Sequence, residues 1–354
     1  MVKLAILNDT HCGIRNSSDI FVNNADTFYT DTFFPYCIEN GIKHIVHLGD
    51  YYDNRKYINF RALNANRNHF LKPLRELGMT MDIIRGNHDT FYKNTGELNS
   101  LKELLGHYMN EVNIIHNPTV MEYGSMRMGV VPWIDAESEK RSFNFIANAK
   151  CDWLGGHFEI VGHDMMKGIK CEHGMDGSIF SRFERVLSGH FHTRSELGNI
   201  TYLGSQMEFS WSDAHDNKYF HVLDTETREL TPVRNPHTLH NRIRYDDTET
   251  DYLNYQLDDI ENKFVKVVVI KKTNASMFDR FIDRIHDKKI LELKIAENFD
   301  EFLGKNVEAD NITIDDTSEL LYNYVDAVDT DLDRGRIKLE MSALLNEAQA
   351  LEVL

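Results

Sequence analysis

Short apolar runs recur along the first 240 positions, and most stop at a glycine or a polar tip. "VKLAILN" (2–8), "IKHIVHLG" (42–49) and "MTMDIIRG" (79–86) read as buried strands. Between them lie segments of helical length, 20–40 closed by Gly41 and roughly 59–77 closed by Gly78. That alternation predicts βαβ units and a sheet covered by helices. From 112 to 133 the pattern becomes hairpin-like, with Gly124 and Ser125 at the turn. A helix at about 137–149, the strands "CDWLGG" (151–156) and "RVLSG" (185–189), and several β segments from 199 to 233 follow.

Near 235–250 the composition shifts to Asn, Pro, His, Arg and Asp, which predicts a domain boundary after a first domain of residues 1–240. Residues 241–305 read as a small β/α cap: "KFVKVVVIKK" (263–272), a helical "SMFDRFIDRIH" (276–286) and "ILELKIAE" (290–297). The remainder, 306–354, opens on an acidic linker. Residues 308–333 hold nine acids and no Lys or Arg, the usual composition of a solvated stretch. "SELLYNYVDAV" (318–328) and "RIKLEMSALLNEAQALEVL" (336–354) carry helical spacing. The expected class is α/β, layered in the α+β manner.

A chain of 354 residues has ample length for two or three domains. Its net charge is −17, of which −11 falls after residue 240. Such a balance excludes a protein that coats nucleic acid by charge alone. A nuclease whose bound cations supply local positive charge remains compatible with it. No apolar run approaches the ~18–20 residues needed to cross a bilayer, and "MVKLAILND" meets charge too early for a signal peptide. The four cysteines form no CxxC pair, so free thiols and a cytoplasmic location are expected.

Chemistry enters where the strands end. Five strand tips carry metal-binding or acid–base side chains: Asp9-Thr10-His11, Asp50 with Asp53, Asn87-His88-Asp89, His157, and His190-Phe191-His192. In an open α/β sheet, sites form beyond the carboxyl ends of the strands, so these scattered residues can converge. The mixture suits two neighbouring cations that clamp a phosphate, with a carboxylate such as Asp50 bridging them. Asp9, His11 and one histidine of the His190/His192 pair serve the first ion. Asn87, His157 and the other histidine serve the second. In extended chain, residues i and i+2 share a face, so both histidines can point into one site. "GGHFEIVGHD" offers two Gly-His dipeptides, and His157 is preferred over His163 because it directly follows an apolar strand. His173 is either a substrate-facing or a surface-loop residue. His44 and His47 read as sheet residues, and Asp89 as a turn former.

The ordered blocks D-x-H, G-D-x-x-D, G-N-H-D, G-H and G-H-x-H resemble those of the calcineurin-like metallophosphoesterases. That resemblance implies a two-sheet sandwich flanked by helices. It implies Asp9, His11, Asp50 and His192 around one metal, and Asp50, Asn87, His157 and His190 around the other. It makes His88 a phosphate-facing acid or charge stabiliser, oriented by Asp53. The mix of carboxylate, amide and imidazole donors suits manganese, with iron or zinc as alternatives.

"GDYYDNRK" and "GNHD" depart from the G-D-x-V-D-R-G and G-N-H-E of Ser/Thr phosphatases. Together with "SGHFHTRSE", "YLGSQME" and "LDTETRE", they resemble the SbcD-type repair nucleases and their shorter T-even-phage counterparts. That branch implies a DNA substrate, recombination and double-strand-break repair, and a homodimer packed through the segment around 59–75. It also implies a coiled-coil, SMC-like ATPase subunit of the SbcC type, docked by the C-terminal helices. Arg55, Lys56, Arg61 and Arg67 follow Asp53 closely and form a candidate phosphate track. Phosphate contacts carry no sequence information, so no base-specific reading is expected. The rivals are an esterase of small or protein phosphoesters and an inactive scaffold subunit.

Overall fold

A computed structural model describes residues 2–166, 169–297 and 336–337. The acidic stretch 308–333 and almost all of the predicted partner-binding segment lie outside the described residues. The chain divides into two units, one of residues 1–241 with 260–264, the other of 242–259 with 265 onward.

In chain order the strands of the first unit are β1 (Lys3–Leu7), β2 (His44–Leu48), β3 (Thr80–Ile84), β4 (Val112–Ile115), β5 (Thr119–Tyr123), β6 (Met126–Val131) and β7 (Trp153–His157). A small hairpin of β8 (Asp164–Met166) and β9 (Ile169–Lys170) comes next, then β10 (Arg185–Gly189), β11 (Ser195–Leu197), β12 (Ile200–Tyr202), β13 (Tyr219–Asp224) and β14 (Leu230–Arg234). One sheet runs β14-β13-β1-β2-β3-β4 and the other β11-β12-β10-β7-β6-β5. Strands β1 to β4 are parallel, as are β12, β10, β7 and β6; antiparallel strands lie outside each set.

Period-two burial explains the layers. Leu4 and Ile6 of β1 pack between the sheets with Met128, Val130 and Leu187, while Ala5 and Leu7 face Phe28, Phe33 and Phe70 of the helical layer. On the far side of the second sheet, Val131, Leu154 and Val186 pack with Ile146 of the helix Glu139–Asn148. The result is two mixed sheets flanked by helices, as the resemblance implied.

The helical runs between β1, β2 and β3 match the predicted spans, with an unforeseen feature. Each contains a wide π-type turn, Phe28–Phe33 in one and Arg67–Leu71 in the other. Pro35 and Pro73 follow at once. A proline cannot donate to the carbonyl four residues back, here Asp31 and His69, and the helix widens there instead of stopping. Gly41 and Gly78 close both runs with left-handed backbone (φ 64° and 60°).

In the second unit, β15 (His240–Asp246), β16 (Phe264–Lys271) and β17 (Glu292–Glu297) form a sheet in that order. The helix Ala275–His286 buries Phe278, Phe281 and Ile285, and its Phe278 ring meets Tyr245 edge-on at 4.9 Å. Among the described residues no helix is long and apolar enough to cross a membrane.

Candidate metal centre

The loops leaving β1 and β2 run side by side beyond the sheet. Asp9 N donates to Gly49 O at 2.9 Å and His11 N to Asp50 O at 3.1 Å. Four residues here hold left-handed backbone without being glycine: Asp9 (φ 47°), His11 (φ 43°), Asp50 (φ 53°) and His190 (φ 87°). Each such residue costs on the order of 1–3 kcal/mol and persists only where surrounding contacts over-determine it. The glycines beside them are required by close approach. A Cβ on Gly86 would lie 2.0 Å from Asp50 Oδ1, and one on Gly189 would lie 2.9 Å from Asp9 Oδ2.

Three donor groups result among the described residues: one is His11, Asp53 and His88, and the other two carry the remaining motif histidines. Ligand atoms of Asp9, His11 and His192 lie within 4.8 Å of one another, and so do those of Asp50, His157 and His190. In the first, His11 Nε2 and His192 Nε2 approach to 3.1 Å, and Asp9 Oδ1 lies 3.9 Å from each. In the second, Asn87 Oδ1 sits 3.0 Å from His157 Nε2 and 2.9 Å from His190 Nδ1. Asp50 joins them: its Oδ2 is 3.2 Å from His157 Nε2 and 3.8 Å from His11 Nε2. Its other oxygen accepts the His88 amide at 2.8 Å, which fixes the carboxylate plane. Nitrogen and oxygen lone pairs converging from seven residues fit a pair of divalent cations, the donor set expected of borderline and hard ions.

Outer contacts orient these donors. His157 Nδ1 donates to Leu48 O at 2.8 Å, which leaves Nε2 as the free acceptor nitrogen. Asp9 accepts from Asn8 Nδ2 at 2.6 Å, and its carbonyl from Gln206 Nε2 at 3.1 Å. Buried Lys218 donates to His192 O at 2.9 Å while paired with Asp213 at 2.6 Å. The Trp133 ring packs 5.2 Å from His190 and 5.9 Å from His157. Only Asn8 lies beside a motif residue. Gln206 lies within "YLGSQME", whereas Lys218 and Trp133 gave no sequence signal.

Without bound cations the charges sort themselves among the donors. Burial works against protonated His11, but the Asp53 contact and the charges of Asp50 and Asp9 outweigh it and push the imidazole up to about 9. His157 reaches about 9 in the same way: burial opposes the proton, and Asp50 prevails. Burial, then the neighbouring His157, push His190 down to about 3. Burial is also the largest influence on Asp50, yet the imidazoles of His157 and His11 hold it well below the usual carboxylate range.

His88 Nδ1 lies 2.6 Å from the main-chain carbonyl of Asp53 and must donate to it, leaving Nε2 as the other ring nitrogen. The pairing of Asp53 with His88 is therefore made by the Asp53 backbone carbonyl. The Asp53 carboxylate meets His11 Nδ1 at 3.2 Å, because the loop turns it toward the buried histidine. Asp89 is a turn anchor, accepting the amides of Gly86, Tyr51 and Tyr52 at 2.8, 3.1 and 3.1 Å.

The remaining candidates scatter. His163 packs on Tyr202 at 4.8 Å, outside these donor groups, and His173 is exposed. His44 pairs with Asp82 at 2.7 Å within the sheet. Arg61 is committed to Asp19 at 2.5 Å, and Arg67 is exposed on the following helix. Arg55 and Lys56 line a cleft with Tyr57 and Phe91.

Residues 2–194 match the calcineurin-like phosphoesterase family. The chain is 28% identical over 351 residues to exonuclease subunit 1 of Enterobacteria phage T4, covering 98% of this chain and 99% of that one. Among solved structures, the Pseudomonas putida nuclease MPE is 14% identical, with a TM-score of 0.30, over 65% of this chain and 87% of its own. The Thermus thermophilus protein TT1561 is 13% identical, with a TM-score of 0.38, over 66% and 98%.

Proposed function

The chain belongs to the calcineurin-like phosphoesterase family, and from that premise we propose that it is a metal-dependent DNA nuclease. It cuts phosphodiester bonds in recombination and double-strand-break repair, beside an SMC-like ATPase subunit of the SbcC type. The observation that carries the reading is the pair of donor groups joined at Asp50. Similarity along nearly the whole chain to a phage exonuclease subunit supports a DNA substrate and a partner subunit.

Asp9, His11, Asp50 and His192 would hold one cation, and Asp50, Asn87, His157 and His190 the other, with manganese the ion of choice. When bound, such a pair supplies Lewis-acid polarisation of the phosphate and a nucleophile available at neutral pH. The chain's own residues do the rest. Asn8, Gln206 and Leu48 O fix the donors in place. His88, its Nδ1–H hydrogen-bonded to Asp53 O, presents Nε2 to the departing sugar oxygen; in the imidazolium form it passes the Nε2 proton to that oxygen and is left neutral. Arg55 and Lys56 hold flanking phosphates. Four free cysteines support a cytoplasmic setting.

Parallel assays with manganese test the reading: end-labelled duplex DNA with and without the ATPase subunit, bis-nitrophenyl phosphate, and a phosphopeptide. Degradation of DNA, enhanced by the ATPase subunit, is expected. Turnover of the phosphopeptide with intact DNA would move the protein to the phosphatase branch, and no turnover of any substrate would make it a scaffold.

A further inference from the structure

We propose that a cleft beside the metal centre receives one unstacked nucleobase of the strand being cut, an inference that rests on the nuclease reading. The loop after Asp53 and the loop after His88 wall a cleft of about 320 Å³, within the range of small-molecule sites. Both walls start next to the metal donors, because Asp53 O holds the His88 ring at 2.6 Å.

The lining is chemically specific. Tyr57, Phe91, Ile58 and Leu98 supply apolar and aromatic surface, and Arg55 and Lys56 supply positive charge. Tyr57 is 53% exposed and Leu98 39%, so this apolar surface meets solvent and not the core. The loop is pre-set, with Asn54 Oδ1 accepting the amides of Lys56 and Tyr57 at 2.9 and 3.4 Å. The opposite wall is closed by a Phe91 N to Leu98 O bond of 3.0 Å. Arg61 is tied to Asp19, whereas among the described residues the side chains of Arg55, Lys56 and Glu103 have no hydrogen-bond or ion-pair partner. Aromatic surface beside uncommitted cations is what a nucleotide requires: the base lies against a ring and the phosphate turns to the charge. Glu103 on the same lining can accept an exocyclic amino proton. A base stacked in a duplex cannot enter, so the strand must be unpaired locally before it is cut.

Binding of short fluorescent DNA single strands to the full chain, with calcium in place of manganese, tests this. Each strand is compared with versions carrying one abasic site at each position in turn. At one position the abasic site should weaken binding to the wild type about tenfold, the factor that stacking on an aromatic ring carries. That penalty should vanish in Tyr57→Ala, whose exposed site leaves folding intact, while Arg55→Ala should weaken intact and abasic strands alike. Equal abasic penalties in wild type and Tyr57→Ala at every position, or none in either, would overturn the proposal. Hydrolysis of methyl p-nitrophenyl phosphate by the same wild-type preparation with manganese reports separately on the nuclease reading.

Discussion

At Asp50 one carboxylate oxygen is pinned by a backbone amide and the other is turned toward imidazoles of two donor groups. That division is what a bridge between cations requires. His88 shares a donor group with His11 and Asp53 but lies outside the two groups joined at Asp50. Replacing it by Gln should leave manganese affinity unchanged and lower turnover by about 10²–10⁴. Full nuclease rate in His88→Gln would remove it from the mechanism. A pH dependence also belongs to single residues. Without metal, His11 and His157 keep their protons up to about pH 9. A cation must displace those protons, so apparent manganese affinity should climb from pH 6 toward 9 and level off above. Each displaced proton contributes up to about tenfold per pH unit. Calorimetric titration in buffers of different ionisation enthalpy would show protons released on binding. Affinity that stays flat over this range would contradict the charge assignment. The candidate ligand set could be read because its five blocks stand where apolar strands end, four of them directly after a glycine. Trp133 and Lys218 could not, because their relevance exists only once β6 and β13 bring them beside the site, and the role of Gln206 appears only where the chain beyond β12 meets Asp9. The Asp53–His88 contact was expected as a pair, while the atom that makes it could not be read, since sequence spacing does not say whether a loop offers its backbone or its side chain.

At the level of elements, the alternation of strand and helix over residues 2–86 was readable because each apolar run ends sharply. The division into two sheets came from the family resemblance, since which parallel strands pair depends on contacts distant in sequence. The prolines that widen two helices carry no outward sign that the helix will continue through them. The glycines at the strand ends carry a sharper consequence. In Gly86→Ala the new methyl would meet Asp50 Oδ1 at 2.0 Å and neighbouring backbone. This variant should lose about 1–3 kcal/mol in denaturant unfolding and bind manganese poorly. Unchanged stability together with full metal binding would refute the close-approach argument. The helix beginning at Phe60 presents that ring 86% exposed, which supports the proposed two-fold contact through the 59–75 segment. Phe60→Asp should convert a dimer to a monomer in sedimentation velocity, and a wild type that sediments as one chain would remove the dimer from the account.

For the molecule as a whole, a net charge of −17 and a polyanionic substrate are reconciled only if positive charge is supplied locally. Two cations at the strand tips, with Arg55 and Lys56 beside them, would do so where the proposed chemistry occurs. The partner subunit is the other source of grip on DNA in this account. The central claim is that two cations share Asp50. Anomalous diffraction from crystals grown with manganese tests it most directly. Two peaks about 3.5–4 Å apart, one on each side of the Asp50 carboxylate, are predicted. A single peak, or two ions with Asp50 touching neither or only one, would contradict it.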